Sequence, residues 1–499
     1  MGKLHIDELK SLSLSRILGF SCQRLWMAMM FYSIIPYIFS ADIRSTLYQH
    51  QTTSLFAFAV GCIAIIVFHK PHTRIRKADL LVWGSAAMMI VGAILCYFAD
   101  VTTPAGMLIT TIASIATGLG SSINFIFWMR LFYSRGPIVT LIEYAAGSVV
   151  GLTAALLLIF MPYYVSMSVL ALAPLGSAAG LARHSFKKRS AHAPSRNDVP
   201  LSKSARNLFL RALSGAFLLG FLQGFTDIIA GFSAFATTDE HGVYLFLAGI
   251  LVSLYLVFVG IVKTEPLEAL YRSSMLFLCL GFVLLSFMRE YYTFFQAISF
   301  GGYMIFIAFI LIVSGRISFE FGTGIMRPSA ASIGTLYLGE ACGLVLGGGI
   351  TEIFGSDVNA AYISAGCVFV FLLVHLSLFN ETDLVHAGIG DIDIVEGATL
   401  SNVTYKIEGP SEEVAADEQA TGDVFKEKAS ALTQAHGLSP RESEVLLLLL
   451  QGRTMARIQE ELYISAGTVS THMRHIYQKT GVANKQQLLD LAFPKGKAE

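Results

Sequence analysis

Apolar residues in this chain come in long unbroken runs, and the runs stop near residue 380. A run of about 20 apolar residues matches the thickness of a bilayer core crossed by a helix. Twelve such runs are present, at roughly 17–40, 52–69, 78–100, 104–129, 137–160, 163–182, 207–231, 242–262, 267–288, 293–315, 331–355 and 358–379. Each predicts a membrane-spanning helix. From residue 438 the pattern changes to short amphipathic segments separated by helix punctuation. Ser439, Pro440 and Glu442 supply an N-cap, a first-turn proline and a capping box, and Gly452 closes that segment. Thr454 opens "TMARIQEELYI", Ser465 opens "AGTVSTHMRHIYQKT", which closes at Gly481, and Asn484 with Gln487 opens "NKQQLLDLAF". The expected fold class is all-α: a polytopic bundle of about twelve transmembrane helices arranged six plus six, then a C-terminal four-helix domain. The expected boundaries are 1–380 for the membrane unit, 381–434 for a linker and 435–499 for the tail.

Composition agrees with this division. The chain is 54% hydrophobic and only 14% charged, so much of its surface must face lipid. Its net charge of zero hides a segregation by loop. Loops on one side hold Lys70, Arg74, Arg76, Lys77, Arg130, Arg135, Lys263, Arg272, Arg316 and Arg327. The same side holds the longest loop, with seven Lys/Arg from Arg183 to Arg206. The other side has only Arg44 and Arg289. The positive-inside rule then puts both termini in the cytoplasm, which an even number of spans satisfies independently. No small-residue cleavage site follows the first apolar run, so that run is expected to be retained as a helix. All six cysteines lie in apolar stretches without paired or metal-ligand spacing and are expected to be packing residues.

Ionisable residues inside the runs are the candidate ligand site, because a charge in hydrocarbon costs several kcal/mol. They are Arg24, Glu143, Asp227 and Glu340. A cavity between the two six-helix halves would gather them; structural ion pairs or snorkelling to an interface are the plainer alternatives. Glycine-dense stretches such as "GLGSS", "GSVVG" and "GLVLGGG" fit either close helix packing or a hinge. No catalytic residue, metal-ligand cluster, phosphate loop or cofactor motif stands out, which argues against an enzyme.

The linker, with twelve Asp/Glu against three Lys over residues 380–434, is expected to be a solvated tether without structure. A flexible chain of that length spans on the order of 40 Å. In the tail, the second and third short helices predict a helix-turn-helix whose second member enters a DNA major groove. The expected DNA-binding set is Ser465, Thr468, Val469, Ser470, Thr471, His472, Arg474, Gln478 and Lys479. Val469 also falls with Met473, Ile476 and Tyr477 on the face spaced for the core. Hydroxyls and the helix N-terminus suit phosphate oxygens, Arg474 suits guanine or phosphate, and Lys479 suits a phosphate.

Two resemblances sharpen this reading. Six spans, a long basic cytoplasmic loop and six more spans resemble the major facilitator superfamily of transporters over residues 1–380. That family usually carries a glycine–aspartate–arginine motif after its second helix, whereas "HKPHTRIRKAD" keeps the basic charge without glycines. The tail stretch "LSPRESEVLLLLLQG…ISAGTVSTHMRHIYQKTGVANKQQLL" resembles the DNA-binding domain of LuxR-type regulators. The match includes Pro440-Arg441-Glu442, Gly452, Ile458, Gly467-Thr468-Val469, Thr471-His472, Lys479 and Gly481-Val482. That resemblance implies a domain binding DNA as a homodimer through its last helix, here Gln486, Gln487, Leu488 and Leu491. The family commonly has lysine where this chain has Ser470, which weakens the expected attraction to phosphate. Together these features predict a one-component transcription regulator of a bacterial cytoplasmic membrane. Its expected partners are promoter DNA, the lipid bilayer and a small-molecule ligand, and no cofactor is expected. The alternative is a working transporter with an appended regulatory domain.

Overall fold

The computed structural model describes residues 12–68, 78–133, 137–184, 203–231, 240–262, 266–287, 291–321, 326–354, 366, 368, 414–451, 458, 461–462, 466–482 and 485–493. It divides into two compact units, Met1–Ile392 and Asp393–Glu499. Helices and turns make up both, and no strand occurs among the described residues.

The first unit contains eleven long helices among the described residues: α1 (Leu14–Tyr32), α2 (Ile43–Phe68), α3 (Ala78–Cys96), α4 (Pro104–Tyr133), α5 (Pro137–Ile159), α6 (Tyr163–Arg183), α7 (Lys203–Gly231), α8 (Glu240–Val262), α9 (Pro266–Phe287), α10 (Tyr292–Phe321) and α11 (Met326–Phe354). Nine of these described helices are long and apolar enough to cross a membrane by length and composition. The helix expected at 358–379 lies outside the described residues apart from Gly366 and Val368. Proline opens α4, α5 and α9, where its fixed φ suits the first turn and no backbone donor is lost. At the start of α2 the Ser45 N–H donates to Asp42 Oδ1 at 3.0 Å, which holds the Asp42 carboxyl below the usual carboxylate range.

Packing follows a pattern that repeats six helices later. In the first half α1 packs on α5, α2 on α4 and α3 on α4; in the second, α7 packs on α11, α8 on α10 and α9 on α10. The halves meet through α2 against α11 and α5 against α8. The division into two halves read from the loops is therefore present in the packing of the eleven described helices. Large side chains such as Val60, Leu80, Leu157, Leu172, Leu251 and Leu276 are exposed, as a lipid-facing surface requires. By contrast α10 is almost entirely enclosed from Thr293 to Gly315.

The tightest helix contact joins α7 and α11. Gly220 and Gly224 on one face Gly339 and Gly343 on the other, each pair four residues apart. A Cβ at any of the four would meet a carbonyl oxygen of the opposite helix. This is close packing by small residues, the first of the two alternatives for the glycine-rich stretches.

The second unit holds α12 (Val414–His436), α13 (Pro440–Leu450), α14 (Ala466–Thr480) and α15 (Lys485–Ala492). Val445, Leu446, Leu449, Leu450, Ile458, Val469, Ile476, Leu488 and Ala492 form its core. The helix α12 corrects the expectation of an unstructured tether reaching residue 434. Ala429 and Leu432 are buried in the same core, and Phe425 meets Phe493 edge-on at 5.5 Å. The physical reason is local: among the described side chains Phe425, Ala429 and Leu432 face inward, while Lys426, Glu427, Ser430 and Gln434 stay exposed. Residues 381–413, the rest of the expected tether, lie outside the described residues.

Candidate functional site

Two sites emerge, one in each unit. In the tail, α13 begins with the capping box read from sequence: Glu442 N–H donates to Ser439 Oγ at 3.3 Å, and Ser439 N–H donates to Glu442 Oε2 at 2.7 Å. Glycines in the left-handed region end α12 and α14, at Gly437 (φ 62°) and Gly481 (φ 72°). Each is followed by a 6→1 backbone bond, Leu438 N–H to Thr433 O and Val482 N–H to Tyr477 O, both at 3.1 Å. These are Schellman closures, and they fix where the chain leaves each helix.

Helix α14 presents two faces. Val469 and Ile476 are fully buried, with Met473 and Tyr477 half-buried beside them. Thr468, Thr471, Arg474 and Gln478 are exposed, and His472 is half-buried. Thr471, Arg474 and Gln478 share one outward stripe at helical spacing. Arg474 makes no hydrogen bond or ion pair among the described residues, so its guanidinium is available to a base or phosphate.

Three expectations for the tail need correction. Val469 is core, not a DNA contact, because the spacing that pairs it with Ile476 turns it inward. Leu488 is likewise consumed by the monomer's own core, whereas Leu491 on the same helix is 41% exposed. Lys479, expected at a phosphate, donates instead to Glu442 Oε2 at 2.7 Å and to the Gly437 carbonyl at 3.4 Å. Its partner explains this. Glu442 is 4% exposed, and the Lys479 ammonium together with the Ser439 N–H holds its carboxyl down to about 2. The backbones of Ser470, Gln486 and Gln487 are helical but their side chains, like all of Ser465 and the turn before α14, lie outside the described residues.

In the membrane unit, Glu143 leaves the expected ligand set. Its carboxylate is fully buried and pairs with both the Nε and Nη2 of Arg16, while the Ser13 N–H adds a bond at 3.0 Å. Arg16 stands at the start of the first helix, just before the apolar run predicted from 17, and so is not among the candidates inside the runs. The pair joins α1 to α5 near their N-terminal ends and is the structural alternative realised.

The other three residues gather on α10. Arg24 of α1 donates from Nη2 to Met304 Sδ at 3.3 Å, and its guanidinium stands 5.7 Å from the centre of the Tyr144 ring. Glu340 of α11 accepts from the Tyr303 hydroxyl at 2.6 Å. Asp227 of α7 accepts from the amides of Gln223 and Gln296 at 2.7 and 2.5 Å. Gln296, Tyr303 and Met304 lie on one stripe of α10, so residues from both halves meet one helix face. Tyr32 lies within Coulombic reach of Glu340, Asp227 and Arg24 together.

This cluster is incompletely satisfied. Arg24 Nε, the Tyr144 hydroxyl and the Oε1 atoms of Gln223 and Gln296 are buried without a hydrogen-bond partner among the described residues. Buried polar groups are ordinarily paired, so several orphans around one centre mark a site built to receive something polar. A small cleft lined by Tyr32, Arg44, Gln51 and Asp227 adjoins its Asp227 end. Sequence reasoning missed the partners Tyr144, Gln296, Tyr303 and Met304, since tyrosine, glutamine and methionine in an apolar run carry no charge signal.

Comparison with known proteins agrees with both halves of this description. Residues 436–492 match the family described as bacterial regulatory proteins, luxR family. A putative HTH-type transcriptional regulator of Mycobacterium bovis is 39% identical over 59 residues, covering 12% of this chain and 7% of that protein. The HTH-type transcriptional regulator MalT of Yersinia pestis is 39% identical over 61 residues, again 12% of this chain and 7% of that protein. The likeness to these relatives thus spans about 7% of their length, confined to the DNA-binding domain. Among solved structures, the human organic anion transporter MFSD10 aligns with a TM-score of 0.51 at 15% identity, over 73% of this chain and 98% of that chain. The C-terminal module is a LuxR-type helix-turn-helix domain, and the membrane unit has a transporter-like fold.

Proposed function

We propose that this multi-pass membrane protein is a one-component transcription regulator: its membrane unit senses a small molecule, and its C-terminal domain binds promoter DNA. The observation that carries this reading is the union, on one chain, of a LuxR-type domain with a transporter-like bundle whose centre holds orphaned polar groups. A ligand that binds one arrangement of the two halves better than another shifts their equilibrium and, through it, the tail. The segregation of Lys and Arg among the loops supports a bacterial cytoplasmic membrane with both termini in the cytoplasm.

On DNA, Thr468, Ser470, Thr471, His472, Arg474 and Gln478, with the helix N-terminus at Ser465, read or hold the duplex. Gln486, Gln487 and Leu491 supply the homodimer contact. The tail from 435 has eight Lys/Arg against six Asp/Glu, so one copy binds weakly and pairing is needed.

The test is a transcriptome of a deletion strain beside one expressing the full chain, each with and without candidate compounds. A promoter that changes only with one compound, and only when the protein is present, supports the reading. That response should vanish in Thr468→Ala/Arg474→Ala while the tail stays folded; an unchanged response removes α14 as the reading helix.

The second reading, a transporter that also regulates, is favoured by the fold likeness. Uptake of the active compound into vesicles containing the protein would establish it. Binding without uptake leaves the pure sensor.

A further inference from the structure

We propose that Arg24 is the recognition group for a small organic anion, bound between the two halves of the membrane unit with its anionic group on the guanidinium. The inference rests on the sensing or transport role of that same cluster and adds the chemical class of its ligand.

Arg24 is 7% exposed and lies ten residues into α1, well away from either end of the helix. Among the described residues the other charges inside the bundle have dedicated partners. Arg16 has Glu143, Glu340 has Tyr303, and Asp227 has two amides. Arg24 alone has only a thioether sulfur and an aromatic face, and its Nε donor is unused. Sulfur is a weak acceptor and a ring face neutralises little charge, whereas a guanidinium offers a planar fork that matches a carboxylate. A buried cation left without a counter-ion is costly in the free protein and is rewarded when an anion arrives.

The surroundings suit an organic anion over an inorganic one. The Tyr144 hydroxyl, on the ring that Arg24 faces, is an orphaned donor on α5, and the rings of Tyr32 and Tyr337 lie within Coulombic reach of Arg24. Met304 follows Tyr303 directly, so the group that touches Arg24 and the group that holds Glu340 are neighbours on α10. A molecule of a few carbons can therefore place its anion on Arg24 and a hydroxyl or ammonium donor against Glu340. Such a ligand bridges a helix of the first half to helices of the second, which is the geometry needed to bias their arrangement.

The experiment uses the full-length protein in lipid nanodiscs, with thermal unfolding as the readout. The probes are matched carboxylate, amide and amine series: benzoate, benzamide and benzylamine, and hexanoate, hexanamide and hexylamine. The carboxylates should raise Tm, and the amides and amines should not. Arg24→Met should raise the Tm of the ligand-free protein, because it removes an uncompensated buried charge, and should abolish the carboxylate response. Tyr144→Phe should leave the free protein's Tm unchanged and weaken apparent carboxylate affinity about tenfold, as expected for one bond to a charged group.

A fall in ligand-free Tm for both Arg24→Met and Arg24→Gln would make Arg24 a structural residue and overturn the assignment. So would a response to amines or amides equal to that of the acids, or no response to any series. Failure of the broader reading looks different. If carboxylates bind through Arg24 and no promoter responds, the sensor falls and the anion site stands. If a promoter responds to a compound equally well in Arg24→Met, the sensor stands and the anion site falls.

Discussion

Glu442 shows how much one side chain can settle in a small domain. Its two oxygens close the cap of α13, accept Lys479 from α14 and face His475 Nδ1 at 3.6 Å. With a folded value near 2 against an ordinary 4.5, its carboxylate stabilises the tail fully above about pH 4.5, and that stabilisation is lost as pH falls toward 2. Glu442→Gln should cost about 1–2 kcal/mol at neutral pH and flatten the acid limb of the tail's stability profile. Circular dichroism melts between pH 2 and 7 would show it; parallel profiles for the two proteins would contradict the linkage. The Arg16–Glu143 pair gives a second residue-scale expectation. Removing one partner, as in Glu143→Gln, should destabilise the membrane unit by about 3–5 kcal/mol, because the other charge stays buried alone. The double change Arg16→Met/Glu143→Leu should recover most of the loss in detergent thermal melts; equal losses for single and double variants would mean that the pair itself carries the stability.

At the scale of elements, the contact between α7 and α11 depends on what is absent. Gly224 presses on the backbone at Glu340, so Gly224→Ala must push the helices apart or shift a carbonyl. A loss of about 1–3 kcal/mol is expected, as for overpacking in a core. The same shift should loosen the Tyr303–Glu340 bond, and a thermal melt of the variant with no change in Tm would disprove the close approach. Long elements of this kind were plain in the sequence, because twenty apolar residues in a row admit few other structures, and cap residues such as Ser439 and Gly481 mark ends by backbone chemistry alone. Pairing was not plain. Nothing local to Glu143 distinguishes it from Glu340; one meets an arginine 127 positions away and the other a tyrosine 37 positions away. Helix α12 escaped for a related reason: its inward residues are few, and only the core they complete makes them count. Leu432→Ala should therefore destabilise the tail by about 2–3 kcal/mol, a buried-leucine cost that a solvated tether would not incur. Urea titration of residues 393–499 would measure it.

At the scale of the whole chain, the question is how an event among membrane helices reaches DNA. The two compact units are joined through residues rich in acid and poor in apolar side chains, a composition suited to connection more than to transmission through a rigid lever. Under the proposed function, the membrane unit must then act by controlling how often two tails meet, since a single mildly basic module binds weakly and a tethered pair gains a high effective concentration. Severing the chain between residues 396 and 410, by an inserted protease site, separates these ideas. The released tail should keep its fold and its sequence preference, since α12 to α15 enclose their own core. It should bind promoter DNA more weakly, with affinity rising as its concentration rises. Transcription should lose all dependence on the compound that the intact protein answers. Anisotropy titrations at several tail concentrations, beside a promoter reporter before and after cleavage, measure both effects. A cleaved protein that still responded to the compound would place sensing in the tail and leave the membrane unit as an anchor or a transporter.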